Sequence, residues 1–234
     1  MARFVFLVFN AFINVSVISY VNKMTSDQRV ALVTGSSSGN GYETSLTLAR
    51  KGFMTYATMR NLTKGESIKS VAEKEKLPLK IVQLDVTDDS SVKNAVQSII
   101  SEAGGIDVLV NNAGYAVSGA FEDLAMEEMK DQYETNLFGL IRVTQAVLPI
   151  MRKQKSGIIV NISSGVGRFA IPGQSVYVST KFAIEGLSES IAYELEPFGI
   201  KIVLVEPGRT LLIIWLLPRS LKIPILHIPS LWRT

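Results

Sequence analysis

The stretch V-A-L-V-T-G-S-S-S-G-N-G, residues 30–41, decides the fold of this chain. Its first part, Val30 to Thr34, is rich in β-branched and apolar residues and is typical of a buried strand. The glycines at 35, 39 and 41 then predict a sharp turn into a helix whose first backbone N–H groups stay exposed. Such groups, reinforced by the helix dipole, can hold a pyrophosphate without a cationic side chain. Alone, the stretch also fits an ordinary Gly/Ser turn, so its meaning depends on the rest of the chain.

Composition limits the class of protein. The chain has 234 residues, 47% of them hydrophobic, which suits one α/β domain with a substantial core and excludes a disordered or fibrous protein. Its 24 Lys and Arg residues nearly balance 21 Asp and Glu residues, and it has no basic run of the kind that binds nucleic acid. It has no Cys, and His227 is its only His, which excludes thiol catalysis, disulfides, Cys/His zinc sites and a Ser-His-Asp triad. We therefore expect no metal site, and acid–base chemistry must use Tyr, Lys or carboxylates.

Short apolar runs alternate with longer segments of helical period, as in βα units of a parallel sheet. Because crossovers between parallel strands are almost always right-handed, this pattern predicts an α/β fold with a doubly wound sheet covered by helices on both faces. No linker or internal repeat divides it. The six predicted strands are Val30–Thr34, Phe53–Thr58, Leu79–Asp85, Ile106–Val110, Gly157–Ile162 and Ile200–Val205.

The helices between these strands have recognisable ends. An apolar stripe at i, i+3, i+4, i+7 and i+8 from Val92 predicts a helix with Asp88 or Asp89 as its N-cap and Gly104 at its end. A shorter helix is predicted before Pro78. The two longest predicted helices are Glu127–Lys153 and Ser175–Glu196.

A second informative motif lies on the last of these helices. Tyr177 and Lys181, spaced Y-V-S-T-K, stack their side chains about one helical turn apart. An ammonium beside a phenol can make that phenol exchange protons near neutral pH. A lone match of this kind is more often surface decoration of a helix. Here it follows, in order, T-G-S-S-S-G-N-G (34–41), N-N-A-G (111–114), E-T-N-L-F-G (134–139) and N-I-S-S-G (161–165).

Taken in this order, the motifs resemble those of the short-chain dehydrogenase/reductase family, whose fold is a Rossmann-like sheet. The resemblance implies that Tyr177 is the general acid/base and that Lys181 lowers its pKa and holds the nicotinamide ribose. It implies that Ser164, 13 residues before Tyr177, stabilises the developing oxyanion. It also implies that the Asn136 backbone holds a water linking Lys181 to solvent, where the helix must locally deform. From the residues alone, Ser164 also fits a loop cap, and Asn136 fits an exposed polar position on a helix.

The resemblance further implies a nicotinamide dinucleotide as cofactor. Residues 58–61, T-M-R-N, offer no acid to an adenosine ribose diol, whereas Arg60 can pair with a 2′-phosphate, so we expect NADP(H) rather than NAD(H). The alternative for Arg60 is a solvated loop arginine. Asp85 and Val86 resemble an adenine-contacting pair, although Asp85 also fits a turn cap. Asn40 replaces the family's usual aliphatic residue, and its amide should need a partner where the helix packs on the sheet. The expected cofactor-binding residues are Gly35, Ser37, Gly39, Asn40, Gly41, Arg60, Asp85, Val86, Asn112, Ala113, Gly114, Tyr177, Lys181, Pro207 and Gly208.

Both ends of the chain depart from the family pattern, which covers about residues 29–208. We expect an apolar N-terminal extension or anchor at residues 1–26, a NAD(P)-binding Rossmann catalytic domain at 27–208 and an atypical apolar tail at 209–234. The segment Phe4–Val21 fits a membrane anchor or, equally, an extension ahead of a start at Met24. Family members continue through a substrate-covering lid and a seventh strand, and we expect both to be missing here.

The implied function is an oxidoreductase that transfers a hydride between NADP(H) and an alcohol or carbonyl substrate. The alternative is a dinucleotide-binding protein without turnover, because the substrate lid is missing. We expect a small to medium apolar substrate, no nucleic-acid partner, and a cytoplasmic location unless Phe4–Val21 anchors the chain to a membrane. We also expect a homo-oligomer that pairs through the long helices bearing Asn136 and Tyr177.

Overall fold

A computed structural model of the chain describes residues 29–208. The predictions for Phe4–Val21, for the tail at 209–234 and for the missing lid and seventh strand lie outside the described residues. Within 29–208, strands and helices alternate as the sequence predicts. The strands are β1 (Val30–Val33), β2 (Met54–Met59), β3 (Leu79–Gln83), β4 (Val108–Asn111), β5 (Gly157–Ile162) and β6 (Ile200–Val205).

Six α-helices connect or flank these strands in the described part of the chain. None of them combines the length and the apolar character that crossing a bilayer requires. They are α1 (Gly39–Arg50), α2 (Glu66–Glu75), α3 (Asp89–Ala103), α4 (Met126–Tyr133), α5 (Gly139–Gln154) and α6 (Ser175–Leu195).

The six strands form one parallel sheet in the order β3-β2-β1-β4-β5-β6. This order reverses at β1, which pairs with β2 on one side and β4 on the other, so a crevice opens there at the carboxyl ends of the strands. The predicted doubly wound fold is confirmed. The bounds of β5 and β6 match the prediction, whereas β4 begins two residues late and ends at Asn111, because Val108 through Asn111 is the stretch that pairs with β5.

Helices cover both faces of the sheet, so successive residues of a strand enter two different cores. Leu32 packs with Leu109 and Ile159 in one core cluster, together with side chains of α3 and α5. Its neighbours Ala31 and Val33 lie in a second cluster on the opposite face. This alternation follows from the two-residue period of a strand, and burial of each Leu or Ile is worth about 1.5–3 kcal/mol. The sheet is therefore a rigid base for the loops at its carboxyl edge.

The predicted long helix Glu127–Lys153 is interrupted. A π-helical segment, Glu134–Phe138, separates α4 from α5 and contains Asn136. The local deformation expected at Asn136 is thus present. Gly139 follows directly, and a Cβ there would lie 2.7 Å from Cγ2 of Val86, so only glycine lets the helix approach the loop after β3 this closely.

Candidate active site

The glycine turn after β1 has no room for larger residues. Gly35 and Gly39 have positive φ angles of 69° and 59°, a region that glycine adopts readily. A Cβ on Gly41 would lie 2.4 Å from both the Gly35 oxygen and Nδ2 of Asn112. Ser37 lies half-buried within the turn. The predicted backbone cradle is therefore formed, and its shape depends on the absence of side chains.

The segment after β4 holds this turn in place. Nδ2 of Asn112 donates to the Thr34 oxygen at 2.9 Å and to the Gly35 oxygen at 3.1 Å. Oγ1 of Thr34 accepts hydrogen bonds from the backbone N–H groups of Asn112 and Ala113, both at 3.0 Å. The N-N-A-G segment therefore braces the glycine turn through these contacts. Thr34 was not among the predicted site residues. Its position at the end of the β1 motif is the sequence feature that could have identified it.

The first turn of α1 suits an anion. Ser38 is its N-cap but makes no capping hydrogen bond through its side chain, and the first turn contains no acidic residue. The N–H groups that start a helix have no intrahelical partner, and the helix dipole adds positive potential there. These groups, beside the Gly41 cradle, fit the diphosphate of a dinucleotide. Asn40 is exposed in this turn, so the prediction that its amide needs a partner against the sheet is wrong: the buried position is Gly41.

Arg60 lies exposed directly after β2. Its carbonyl accepts a hydrogen bond from Nε2 of Gln83 at 3.3 Å, and this bond joins the backbone of Arg60 to β3. The residue itself stays exposed at the surface. In Asn61, which follows, Oδ1 accepts from the backbone N–H of Thr63, so Asn61 caps the next turn. No carboxylate occupies residues 58–61 at the crevice end of β2.

The loop after β3 places Asp85 and Val86 at the same edge. Oδ1 of Asp85 accepts from the backbone N–H and the hydroxyl of Thr87, at 3.0 and 2.8 Å, so this oxygen caps a turn, the alternative that the sequence left open. Val86 is buried, and its carbonyl accepts from Arg142 at 2.6 Å. Both residues are therefore held by local contacts beside the crevice.

Tyr177 and Lys181 lie one turn apart on α6, as predicted. Nζ of Lys181 lies over the Tyr177 ring, 5.5 Å from its centre, and donates to the Ile162 carbonyl at 2.7 Å. Lys181 is buried, with 6% of its surface exposed, and Tyr177 is half-buried. Because Ile162 ends β5, this contact fixes the pair at the carboxyl edge of the sheet.

Burial dominates the electrostatics of this pair. It lowers the pKa of Lys181 from 10.5 to about 8, while the nearby Glu185 carboxylate raises that pKa in part. Burial raises the pKa of the Tyr177 phenol, and a hydrogen bond with Ser164 partly lowers it. Burial thus outweighs the effect of Ser164 on the Tyr177 pKa, and the expectation that Lys181 lowers this pKa stays a prediction.

Ser164 and the Pro207-Gly208 segment meet beside the phenol. The Ser164 hydroxyl accepts from the backbone N–H of Val166 at 3.4 Å and donates to the Pro207 carbonyl at 3.5 Å. The backbone N–H of Gly165 also donates to the Pro207 carbonyl, at 3.0 Å. Ser164 therefore caps the following turn, which is the loop-cap alternative that the sequence left open for it. Its hydroxyl also lies close enough to Tyr177 to lower the pKa of the phenol.

Asn136 is a buried connector rather than an exposed helix residue, with 1% of its surface exposed. Its Oδ1 accepts from the backbone N–H of Tyr115 at 3.0 Å, and its Nδ2 donates to the Tyr115 oxygen at 2.8 Å. Nδ2 also donates to Oγ1 of Thr180 at 3.3 Å, which joins the π-helical segment to α6. A Cβ on Gly114 would lie 3.0 Å from Oδ1 of Asn136, so the N-N-A-G loop packs tightly against it.

Three charged residues beneath the site were not predicted. Arg168 pairs with Glu185 at 3.1 Å and with Glu206 at 3.0 Å. The one available signal was the spacing of Lys181 and Glu185, which places them on the same helical face. Arg168 is 17 residues from Glu185 and 38 from Glu206, a separation at which no local pattern operates.

Comparisons with known proteins add three relationships. A family model described as short chain dehydrogenase matches residues 29–212. The chain is 44% identical over 180 residues to a 3-ketodihydrosphingosine reductase of Bacteroides thetaiotaomicron, covering 77% of this chain and 63% of the relative. It is 42% identical over 189 residues to human retinol dehydrogenase 8, covering 79% of this chain and 60% of the relative. It therefore spans less than two thirds of the length of either relative.

A solved structure has the same fold at lower identity. The gluconate 5-dehydrogenase from Burkholderia cenocepacia, in complex with NADP and tartrate, superimposes with a TM-score of 0.73 at 29% identity. The match covers 77% of this chain and 71% of that one.

Proposed function

This chain belongs to the short-chain dehydrogenase family, and from that premise we propose that it transfers a hydride between NADP(H) and an alcohol or carbonyl group of a small to medium apolar molecule. Family membership makes it an oxidoreductase with a NAD(P)-binding fold. The choice of NADP(H), the substrate class and the residue roles are the proposal.

The observation that carries the proposal is the grouping of three side chains at the carboxyl edge of the sheet. The Ser164 hydroxyl lies close enough to the Tyr177 phenol to lower its pKa, and Nζ of Lys181 lies 5.5 Å from the centre of the Tyr177 ring. A phenol that can give or take a proton, a hydroxyl that can donate to a charged oxygen and a buried ammonium are the groups needed to interconvert a carbonyl and an alcohol. No acid–base role is left for a histidine or a cysteine in residues 29–208, which contain neither.

Each of these residues has a separate task in the proposed reaction. The nicotinamide supplies or accepts the hydride when it is bound. In the reducing direction, Tyr177 donates its phenolic proton to the carbonyl oxygen, and Ser164 donates a hydrogen bond to the same oxygen as negative charge develops there. Lys181 holds the nicotinamide ribose and stabilises the phenolate that remains. Asn136, through the carbonyls freed by its π-helical turn, holds a water that returns a proton from solvent.

The cofactor site supports NADP(H) over NAD(H). The first turn of α1 and the Gly41 cradle hold the diphosphate, as argued above. Arg60 is exposed at the end of β2, where its planar guanidinium can pair with a 2′-phosphate, and residues 58–61 carry no acid that would repel that phosphate. The NADP bound to the gluconate 5-dehydrogenase of the same fold is consistent with this choice.

An apolar substrate is supported by the relatives. The two with high identity are named for 3-ketodihydrosphingosine and for retinol, a ketone and an alcohol that are each carried on a largely apolar molecule. Phe169, in the loop that follows Ser164, is half exposed and close enough to contact a side chain at Gly165. It adds apolar surface next to the reacting groups.

The location and assembly remain proposals of the same kind. We place the protein in the cytoplasm, with membrane contact through Phe4–Val21 as the alternative. We further propose a homo-oligomer, because large apolar side chains lie exposed on or beside the helices that bear Asn136 and Tyr177. These are Phe138 (48% exposed), Phe182 (46%) and Tyr193 (66%).

The test is an assay of the full chain with NADPH and with NADH against a panel of aldehydes, ketones and alcohols of increasing apolar size. We expect consumption of NADPH that depends on Tyr177, measured as the loss of absorbance of the reduced nicotinamide. We expect weaker use of NADH. NADPH binding without turnover of any panel member would instead support a dinucleotide-binding protein that is not catalytic. Absence of both binding and turnover would refute the proposal.

A further inference from the structure

Two buried carboxylates and a partly exposed arginine form a cluster of charges on the segments that carry the groups to which we assign the chemistry. Glu185 and Glu206 are 5% and 6% exposed, although carboxylates are seldom buried unless they are paired. Arg168 is paired with both: its Nη2 lies 3.1 Å from Oε2 of Glu185, and its Nε donates to Oε1 of Glu206 at 3.0 Å. Glu189, which is half exposed, lies farther from the guanidinium at 3.9 Å. We call Arg168, Glu185 and Glu206 the Arg168 bridge.

Each member of the Arg168 bridge comes from a different segment of the site. Arg168 follows Ser164 in the loop after β5. Glu185 lies one turn after Lys181 on α6. Glu206 immediately precedes Pro207 at the end of β6. One guanidinium therefore joins three segments, which carry the proposed oxyanion donor, the acid–base pair and the expected cofactor-binding residues Pro207 and Gly208.

The packing around the bridge leaves little freedom. A Cβ on Gly167 would lie 2.8 Å from the Ser163 hydroxyl and 3.0 Å from Oε1 of Glu185, so the loop backbone rests against the buried carboxylate. Oε2 of Glu185 makes the ion pair with Arg168, and the Ser163 hydroxyl beside the carboxylate also lowers the pKa of Glu185. Loss of Arg168 would thus remove the main ionic partner of Glu185.

The charges of the bridge also reach Lys181. Burial raises the pKa of Glu185, Ser163 lowers it, Glu206 raises it, Arg168 lowers it and Glu189 raises it. Glu185 in turn raises the pKa of Lys181 against the effect of burial. Arg168 therefore favours the ionised form of Glu185, and ionised Glu185 favours the charged form of Lys181.

We propose that Arg168 and Glu185 are positioning residues for the reaction assigned above: the Arg168 bridge keeps Lys181 charged and holds the Pro207-Gly208 segment in register with Ser164 and Tyr177. Neither residue touches the reacting atoms. The inference rests on the proposed function, but its electrostatic part can be measured without substrate or cofactor.

The first measurement titrates Lys181 directly in the full chain, by carbon NMR of labelled lysine side chains, with the signal assigned by its loss in Lys181→Arg. In Glu185→Gln, which keeps the side-chain shape, we expect the Lys181 midpoint to move to lower pH by about one unit, since loss of a close opposite charge commonly shifts a pKa by at least that much. Arg50→Gln is the matched control, because Arg50 forms an exposed ion pair with Glu75 on another face. It should leave the Lys181 midpoint unchanged.

The second measurement compares kcat/KM of Arg168→Gln, Arg168→Lys and Arg50→Gln. We expect a loss of about tenfold or more for Arg168→Gln, since a misplacement of about 1 Å in the reacting geometry can cost about 100-fold in rate. We expect only partial rescue by Arg168→Lys, because an ammonium cannot reproduce the planar fork that serves two carboxylates. Glu185→Gln should also move the alkaline limb of the rate profile to lower pH, in step with the Lys181 midpoint, which a purely structural role would not do.

The outcomes separate this inference from the proposed function. A Lys181 midpoint that is the same in Glu185→Gln and wild type overturns the inference, whether or not the enzyme turns over. Arg168→Gln activity equal to that of Arg50→Gln also overturns it, while leaving the function intact. Where Arg168→Gln does not fold, Glu185→Gln carries both measurements. If the wild-type protein shows no turnover that depends on Tyr177, the proposed function is refuted. The role of the Arg168 bridge in catalysis is then refuted too, even if the Lys181 midpoint shifts in Glu185→Gln.

Discussion

Nζ of Lys181 lies 5.5 Å from the centre of the Tyr177 ring and donates to the carbonyl of Ile162 at 2.7 Å. This single ammonium therefore connects the last residue of β5 with the proposed acid–base residue on α6. It is also buried, at 6% exposure. Because the ammonium is buried, the Ile162 carbonyl stabilises it in place of water. Burial of this charge lowers the free energy of unfolding by an amount that can be measured.

Lys181→Met should change how stability depends on pH. Lys181 releases its proton at about pH 8 when folded but at its ordinary value of 10.5 when unfolded. Between these values the unfolded chain binds more protons, so the contribution of Lys181 to stability rises as pH increases. From pH 7.5 to 9.5 we expect wild type to gain about 2 kcal/mol relative to Lys181→Met. Urea unfolding of both proteins at the two pH values checks this, and parallel changes would rule it out.

Gly41→Ala should destabilise the chain and weaken NADPH binding together. The new Cβ would lie 2.4 Å from the Gly35 oxygen and from Nδ2 of Asn112, so the turn must open, at about 1–3 kcal/mol for overpacking of this kind. Gly186→Ala is the matched control, since Gly186 lies in α6 with open space where its Cβ would be. It should gain about 0.5–1 kcal/mol from the better helix propensity of alanine. Equal behaviour of the two variants in urea unfolding would contradict the tight turn.

Arg60→Ala should alter cofactor choice rather than cofactor binding in general. Loss of a guanidinium that pairs with a 2′-phosphate should weaken NADPH binding by about tenfold or more, since hydrogen bonds to charged groups are worth about 1.5–3 kcal/mol. NADH binding, which does not involve that phosphate, should stay within about twofold. Fluorescence titration with both cofactors measures the ratio, with Arg50→Ala as a surface control. A parallel loss for NADPH and NADH, or no loss at all, would show that Arg60 is a solvated loop residue.

Local patterns in the sequence account for most of the fold. The Asp88 cap is one case: it accepts from the backbone N–H of Ser91 at 2.8 Å, and Gly104 ends the helix with a φ of 76°. Caps, apolar stripes and β-branched runs act within a few residues, so they can be recognised without knowledge of distant contacts. The bounds of β5 and β6 were predicted to the residue for the same reason.

Contacts between distant residues account for the rest. The Arg168 bridge joins residues up to 38 positions apart, and the pKa of Tyr177 depends on burial that only the folded chain supplies. The exposure of Asn40 could not be predicted from the sequence either, because it depends on which side of the first turn of α1 faces the sheet. Motif order predicted the site residues, but the contacts around them required the structure.

Asn136→Asp should lower stability although it changes one atom. The carboxylate keeps an oxygen for the Tyr115 N–H but cannot donate to the Tyr115 oxygen or to Thr180, and the site is 1% exposed. We expect a loss of about 1–3 kcal/mol, as for other buried groups left unsatisfied. Asn94→Asp, an exposed position on α3, serves as the control and should stay within about 0.5 kcal/mol of wild type. Similar unfolding midpoints for the two variants would refute the connector role of Asn136.

The most direct test of the account is the turnover of Tyr177→Phe. Removal of one oxygen should reduce kcat by about 100- to 10,000-fold, the usual contribution of a positioned acid or base, while NADPH affinity stays within about twofold. Tyr193→Phe, on the same helix but 66% exposed, should retain wild-type kcat. Tyr177→Phe turning over as fast as Tyr193→Phe would contradict the assignment of Tyr177 as the proton donor.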